Sequence, residues 1–129
     1  MILVLGAFLG FFSVAFGAYA EHGLRPVITE EQFRYLMTAI RYNQVNAAVT
    51  IAIGLTLLNG ASPSHPRVLQ WSGVLFVGGT MLFSFSIYLS VFLGVPELTY
   101  LTPVGGVTLM AAWTTLALAG VRMMKNRPA

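Results

Sequence analysis

The stretch GAYAEHGLRP, residues 17–26, sets a carboxylate beside an imidazole, Glu21 and His22, with Arg25 one helical turn beyond the glutamate. Such a pair can hold or pass a proton, or contribute to a ligand site. The blander alternative is a local ion pair: Glu-to-Arg at i,i+4 is worth about 0.2–0.5 kcal/mol on a helix surface. Both readings stand on the residues alone. A second polar set lies farther on, where Asn43, Asn46 and Thr50 recur at i, i+3 and i+7 on one helical face. Ser86, in the run FSFSIY, adds a hydroxyl. Amides and hydroxyls supply hydrogen bonds but neither a nucleophile nor its base. The chain has no cysteine and only two histidines, His22 and His65, and His65 reads as a solvated loop residue. No hydrolase triad, zinc-ligand spacing or dinucleotide fingerprint occurs. Gly105-Gly106 is not followed by the G-K-[ST] of a phosphate loop. No catalytic residue, metal site or cofactor is assigned, and the chain is not expected to be an enzyme.

The elements that must carry these groups are membrane helices. Of 129 residues, 57% are hydrophobic and 9% charged, whereas a soluble domain has about 25% charged residues. Charge-free runs cover residues 1–20, 42–64, 68–96 and 98–121. Each can supply the roughly 20 apolar residues that cross about 30 Å of hydrocarbon. The net charge of +3 comes from scattered positives, three of them, Arg122, Lys125 and Arg127, in a short tail. That tail suits an anionic lipid surface rather than nucleic acid.

Ala18-Tyr19-Ala20 has the small-x-small form of a signal-peptidase site, but no basic stretch precedes the apolar core. Gly6, Gly10, Ser13 and Gly17 fall on one helical stripe, and Gly6 to Gly10 is a GxxxG step that admits a close helix neighbour. The segment is therefore expected to be retained as the first span, over about 2–20. Continuing its stripe by four residues reaches Glu21, which predicts that the carboxylate points toward the packed side of the bundle.

Thr29 and Gln32 form a capping box, with Glu30 and Glu31 in the first turn. Phe33, Leu36, Met37 and Ile40 then repeat with helical period opposite Arg34, Thr38 and Arg41, predicting an interfacial amphipathic stretch over about 30–41. It runs into a second span over about 42–59. The segment NGASPSHPR is a turn, the third span covers about 68–94 with Trp71 near its start, and Gly79, Ser86 and Ser90 line one face of it. Thr102-Pro103 predicts an N-cap and first-turn proline for a fourth span over about 102–122, with Gly105 on its packing face. The expected fold is an all-α, integral-membrane four-helix bundle, a single domain with an amphipathic N-terminal extension on its second helix. Four spans put both termini on one side, with Arg67, Arg122, Lys125 and Arg127 there and Arg25, Arg34 and Arg41 on the other. The positive-inside rule then favours cytoplasmic termini, and Glu21, His22, Arg25, Arg41 and Glu97 are expected to converge at the outer rim.

GAYAEHGL after a Gly-rich helix, RYNQVNAAV, FSFSIY and TPVGGVTLMAAW resemble, in order and spacing, the YgdD/YwdK-like family of small four-span membrane proteins. Its corresponding stretches read approximately GAFGAHxL, YQxxH, FSGSLY and TPxGGxxFxxGW. The resemblance covers nearly the whole chain and implies a compact bacterial inner-membrane bundle of unknown function. His22 matches the histidine of the first motif. The second-motif histidine falls on Asn46, and the glutamine before it on Asn43. An amide is a poor metal ligand beside imidazole, so the exchange favours a structural polar network over a metal pair or a histidine relay.

Small-residue stripes on every helix and no catalytic set lead to one main expectation. The protein is a non-enzymatic structural or accessory membrane subunit, self-associating as a homo-oligomer or docked on a larger membrane complex. The alternative is an oligomeric channel or transporter for a small solute or proton, using the Asn43, Asn46, Thr50 stripe with Glu21 or His22 at its mouth. A lipid-modifying or quinone-handling site would require a lateral pocket at Glu21, His22 and Arg41.

Overall fold

The computed structural model describes residues 1–59 and 66–126, and these are helical throughout apart from short turns. Helix α1 covers Ile2–Tyr19 and passes into a wide π turn, Ala20–Leu24. Helix α2 covers Glu30–Leu58, α3 Pro66–Thr80 and α4 Ser86–Leu93, with a second π turn, Met81–Phe85, joining α3 to α4. A 3-10 turn, Pro96–Leu101, leads directly into α5, Thr102–Lys125. His65 and most of the predicted 59–67 turn lie outside the described residues, as does Arg127.

Three helical stretches, Ile2–Leu24, Arg67–Leu93 and Pro96–Lys125, are long and apolar enough to cross a membrane. Helix α2 is not among them, although its 29 residues reach about 43 Å. Glu30, Glu31, Arg34 and Arg41 charge its first turns, and Asn43, Gln44 and Asn46 dilute the apolar part. Its start is as predicted. Thr29 accepts from the Gln32 amide at 3.1 Å while the Gln32 side chain accepts from the Thr29 amide at 3.0 Å, a complete capping box.

Helices α1 and α2 lie antiparallel in one unbroken register. Leu3 sits opposite Gly54, Gly6 opposite Thr50 and Ile51, Gly10 opposite Ala47, and Gly17 opposite Ile40. The four contacts are not equally tight. A Cβ at Gly54 would come within 2.6 Å of the Leu3 backbone, and one at Gly6 within 2.9 Å of the Ile51 amide nitrogen. At Gly10 and Gly17 the nearest atoms would be at 3.9 and 3.8 Å, ordinary van der Waals separations. The helices therefore touch backbone to backbone at the Leu3 end and part toward the Tyr19 end.

A second close approach joins α5 to the π turn of the third element. A Cβ at Gly105 would overlap the Phe83 backbone and lie 2.7 Å from the Leu82 carbonyl carbon, and one at Gly79 would lie 2.9 Å from the Leu109 side chain. One apolar cluster, including Leu24, Leu36, Ala39, Ile40 and Tyr88, fills the end of the bundle near the π turn after α1. Another, including Ile53, Leu69, Phe76, Leu109 and Ala112, fills the opposite end. Phe16 stacks flat on Tyr88, ring centroids 4.1 Å apart, and ties α1 to α4.

Two local expectations are corrected. Glu21 is exposed, not turned inward: the buried row runs from Ser13 through Ala20 to Leu24, seven and four residues apart as on one helix face, and leaves Glu21 and His22 outside. Thr102 is not a side-chain cap, because Leu101 before it is already helical (φ −78°, ψ −20°) and the 3-10 turn continues into α5 without a break. The Thr102 hydroxyl meets Ser86 instead, at 2.9 Å.

The contrast between the glycines is testable. Gly54→Ala and Gly105→Ala should each lower unfolding free energy by about 2 kcal/mol or more, because overpacking against backbone cannot relax by a rotamer change. Gly10→Ala and Gly17→Ala should be neutral or stabilising by up to about 1 kcal/mol, the helix-propensity gain over glycine. Unfolding midpoints of the four variants in one detergent would show this, and equal losses at all four would contradict the register described above.

Candidate functional site

At the rim, Arg25 Nη1 donates to Glu21 Oε2 at 2.8 Å, with side chains 52% and 42% exposed. The guanidinium also lies over the Phe33 ring, 4.7 Å from its centroid. This pair thus clasps the end of α1 to the start of α2. Glu31 forms a second local group, accepting from Tyr35 Oη at 2.7 Å with Arg34 at 3.9 Å. The hydrogen bond to that carboxylate, and its charge, hold the Tyr35 phenol above its ordinary range, with Arg34 opposing. His22, Arg41 and Glu97 are exposed, and no hydrogen bond or ion pair joins them to either group. Of the five residues expected at the outer rim, Glu21 and Arg25 are joined by an ion pair. Among the described residues no three histidine or acidic side chains are grouped to hold a metal ion.

The polar set on α2 is brought together much more completely. Asn43, Asn46 and Thr50 are all within 1% of full burial, and Ser86 is 4% exposed. The regular α geometry of α2 puts its three on one face, and that face meets α4. Asn43 Nδ2 donates to Tyr88 Oη at 3.2 Å. Ser84 Oγ crosses to the Ala39 carbonyl at 2.8 Å, and Ser86 Oγ meets both the Phe83 carbonyl and Thr102 Oγ1 at 2.9 Å. Other buried hydroxyls bond back onto their own helices: Ser13 to the Gly10 carbonyl, Thr50 to that of Asn46 and Thr80 to that of Phe76, each at 2.7 Å. Among the described residues, three buried side-chain atoms find no protein partner: Asn43 Oδ1, Asn46 Nδ2 and Ser72 Oγ.

Tyr88 and Ser84 carry the cross-helix bonds, yet neither stands out in the sequence. Their i,i+4 spacing marks a shared face, but which carbonyl or amide they reach is decided by a partner 45 positions away. Two shallow apolar grooves complete the surface. One, of about 660 Å³, runs over Ile2, Leu3, Gly54, Val74 and Gly78. The other, of about 380 Å³, lies between Tyr35, Phe83, Ile87, Thr102 and Pro103. Neither brings together a nucleophile and a base, and neither is lined by Glu21, His22 or Arg41.

An all-helical chain with three stretches able to cross a bilayer, and polar side chains folded inward among them, defines a small multi-pass membrane protein. It belongs to the family described as protein of unknown function (DUF423), whose profile matches residues 16–106. It is 30% identical over 115 residues to a UPF0382 membrane protein of Haemophilus influenzae, covering 89% of each chain. It is 26% identical over 125 residues to the UPF0382 inner membrane protein YgdD of Escherichia coli K12, covering 97% of this chain and 92% of that one. A UPF0382 membrane protein of Staphylococcus aureus is 28% identical over 119 residues, covering 92% of this chain and 93% of the relative. No solved structure matches. The resemblance carried by the four sequence motifs is thus to the right family.

The two polar sets should differ in what they contribute to stability. Tyr88→Phe keeps the ring stacked on Phe16 but leaves the Asn43 amide nitrogen unpaired, and should lower unfolding free energy by about 1 kcal/mol. Glu21→Gln breaks a solvated pair and should change it by less than about 0.5 kcal/mol. Denaturant titrations of both variants in the same micelle test the ranking; a larger loss at Glu21 would reverse it.

Proposed function

We propose that this protein is a non-enzymatic structural or accessory subunit of the bacterial inner membrane, a four-span bundle that acts by lateral association. The observation that carries the reading is the outer face of α5. Val104, Val107, Ala111, Thr114, Leu118 and Val121 are all exposed, and they alternate three and four residues apart. Such spacing is the heptad seam on which left-handed helix pairs form, with small residues at its centre to let backbones approach. Meanwhile the buried hydroxyls of Ser13, Thr50, Thr80, Ser84 and Ser86 are bonded inside the bundle, which leaves the helix exteriors as the surface to act through.

Crossing by all four helices is part of the same reading. The α1–α2 register supports it: a slab of hydrocarbon enclosing residues 3–17 encloses residues 40–54 beside them. The interfacial role of residues 30–41 agrees with exposed Arg34 and Arg41 opposite buried Leu36 and Ile40. Placement of both termini in the cytoplasm rests on Arg67, Arg122 and Lys125 gathering at one end. The partner is a second copy of this chain or a larger membrane complex.

Because the chain has no cysteine, single substitutions report contacts cleanly. Ala111→Cys on the α5 seam should give a disulfide-linked dimer in native membranes, or a crosslink to a second protein, whereas Phe8→Cys on α1 should give neither. A protein that stays monomeric in mild detergent, crosslinks at neither position and co-purifies with nothing would defeat the association reading.

A second reading, conduction of a proton or small solute by an oligomer, draws on the buried row of Ser13, Asn43, Asn46 and Thr50. It requires an opened state, since those side chains are at most 2% exposed. Proteoliposome flux that is present in the wild type and abolished by Asn46→Leu would favour it; flux absent, or indifferent to that change, removes it.

A further inference from the structure

An amide group with unspent hydrogen-bonding capacity is expensive in hydrocarbon, where no solvent comes to its aid. Asn43 and Asn46 are 0% and 1% exposed and lie on adjacent turns of one helix face. Asn43 spends a donor on Tyr88 Oη and keeps Oδ1 without a partner, while Asn46 keeps Nδ2 without one. One is an acceptor and the other a donor. The neighbouring hydroxyls cannot resolve the mismatch, because Ser13 and Thr50 have already given their protons to the Gly10 and Asn46 carbonyls. Their remaining lone pairs accept but do not donate. Tyr88, which accepts from Asn43, still has its own proton to place.

The α1–α2 backbone contact is less close at this level. The α1–α2 contact is tightest at Gly54 and Gly6, where an added Cβ would lie 2.6 and 2.9 Å from backbone, and relaxes to 3.9 Å at Gly10 and 3.8 Å at Gly17. Asn43 and Asn46 lie between Ile40 and Ala47, the residues that face those two looser glycines. The α1 residue between them on the same buried row is Ser13, the smallest hydroxyl.

We propose that Asn43 and Asn46 form a buried binding site for a water molecule, which donates to Asn43 Oδ1 and accepts from Asn46 Nδ2. Water carries a donor and an acceptor within one small neutral body and commonly makes about three hydrogen bonds when buried. An ion in the same place would bear the full cost of a desolvated charge with no countercharge. The site does not depend on the assignment of the Asn43 amide. Reversing it lets Tyr88 donate to Oδ1 and leaves Nδ2 unpaired instead, so the water accepts from both amides. This inference is independent of whether the bundle associates through α5.

The test uses the intact protein, 15N-labelled, in lipid nanodiscs. A water held at the site should give cross-relaxation between the Asn46 Nδ2 protons and the water resonance, with the sign of a long-lived contact. The peak should persist in Tyr88→Phe, which removes the nearest exchangeable phenol proton. Cross-relaxation from Asn46 to Asn43 and apolar neighbours alone would overturn the proposal, since the amides would then pair directly. Loss of the water peak in a folded Tyr88→Phe would also overturn it, as the signal would have been relayed by the hydroxyl. A crystal structure of the wild type gives a second readout that needs no variant. Ordered density within hydrogen-bond distance of both amides is expected there, and a dry contact between them would refute the site.

Discussion

The close approach of α1 and α2 at Gly6 and Gly54 is the constraint on which the remaining geometry rests. In hydrocarbon, apolar side chains gain nothing by leaving lipid for protein, so helices associate through backbone proximity and good packing. With Leu3 against Gly54 and Gly6 against Ile51, α2 has no freedom to slide along α1. That single register decides which turns of α2 face inward. Asn43, Asn46 and Thr50 are buried because the glycines of α1 hold their helix at this height and rotation.

The two π turns extend the same logic. Met81–Phe85 carries an extra residue in its turn, and the surplus swings the hydroxyls of Ser84 and Ser86 to different neighbours. Ser84 reaches the Ala39 carbonyl and Ser86 reaches Thr102, so one short run bonds both to α2 and to α5. Gly105 makes this possible by letting α5 lie directly against the Phe83 backbone. The first π turn, Ala20–Leu24, stands in contrast. Glu21 and His22 lie outside the bundle there, and Arg25 bridges Glu21 and the Phe33 ring. One wide turn carries polar contacts in the interior and the other carries charge at the surface.

What could be read from the residues alone follows from this division. The capping box at Thr29 and Gln32, the Glu21–Arg25 pair and the inward face of Asn43, Asn46 and Thr50 were legible because each depends only on regular helix geometry within a few residues. The glycine stripe was legible as a packing edge, but not its gradient from backbone contact at Gly6 to loose contact at Gly17, which arises from the angle between two helices. Glu21 misses the predicted face because a four-residue step from Gly17 drifts off the buried row, which a 3.6-residue period carries through Ala20 and Leu24. Thr102 was read as a cap because Thr-Pro is a good helix start, and the 3-10 turn before it had no distinct pattern. Tyr88 and Ser84 were invisible as partners for Asn43 and Ala39 since no local rule connects positions 45 apart. Helix α2 is also the least apolar of the long helices, since its buried amides are among the residues that lower its apolar character.

The distribution of polar groups bears on how such a small bundle can act. Among the described residues charge is confined to exposed positions, where two pairs close within about one turn, Glu21 with Arg25 and Glu31 with Arg34. Uncharged hydrogen-bonding groups are concentrated in the interior, where Tyr88, Ser84 and Ser86 connect three helices. A bundle that conducted ions would need the reverse, with charge or open polar surface along an axis and less of its hydrogen bonding committed to holding helices together. Here the committed bonds lock α2 to α4 and α4 to α5, so the interior works as a fastener. A rigid interior keeps the relative tilt of α1 and α5 fixed, and those two helices expose the broadest apolar faces. Recognition by an exposed helix seam depends on that tilt being constant, because a heptad face matches a partner over several turns only if its axis does not wander. On this view the buried amides and hydroxyls contribute to function by holding the outer helices still.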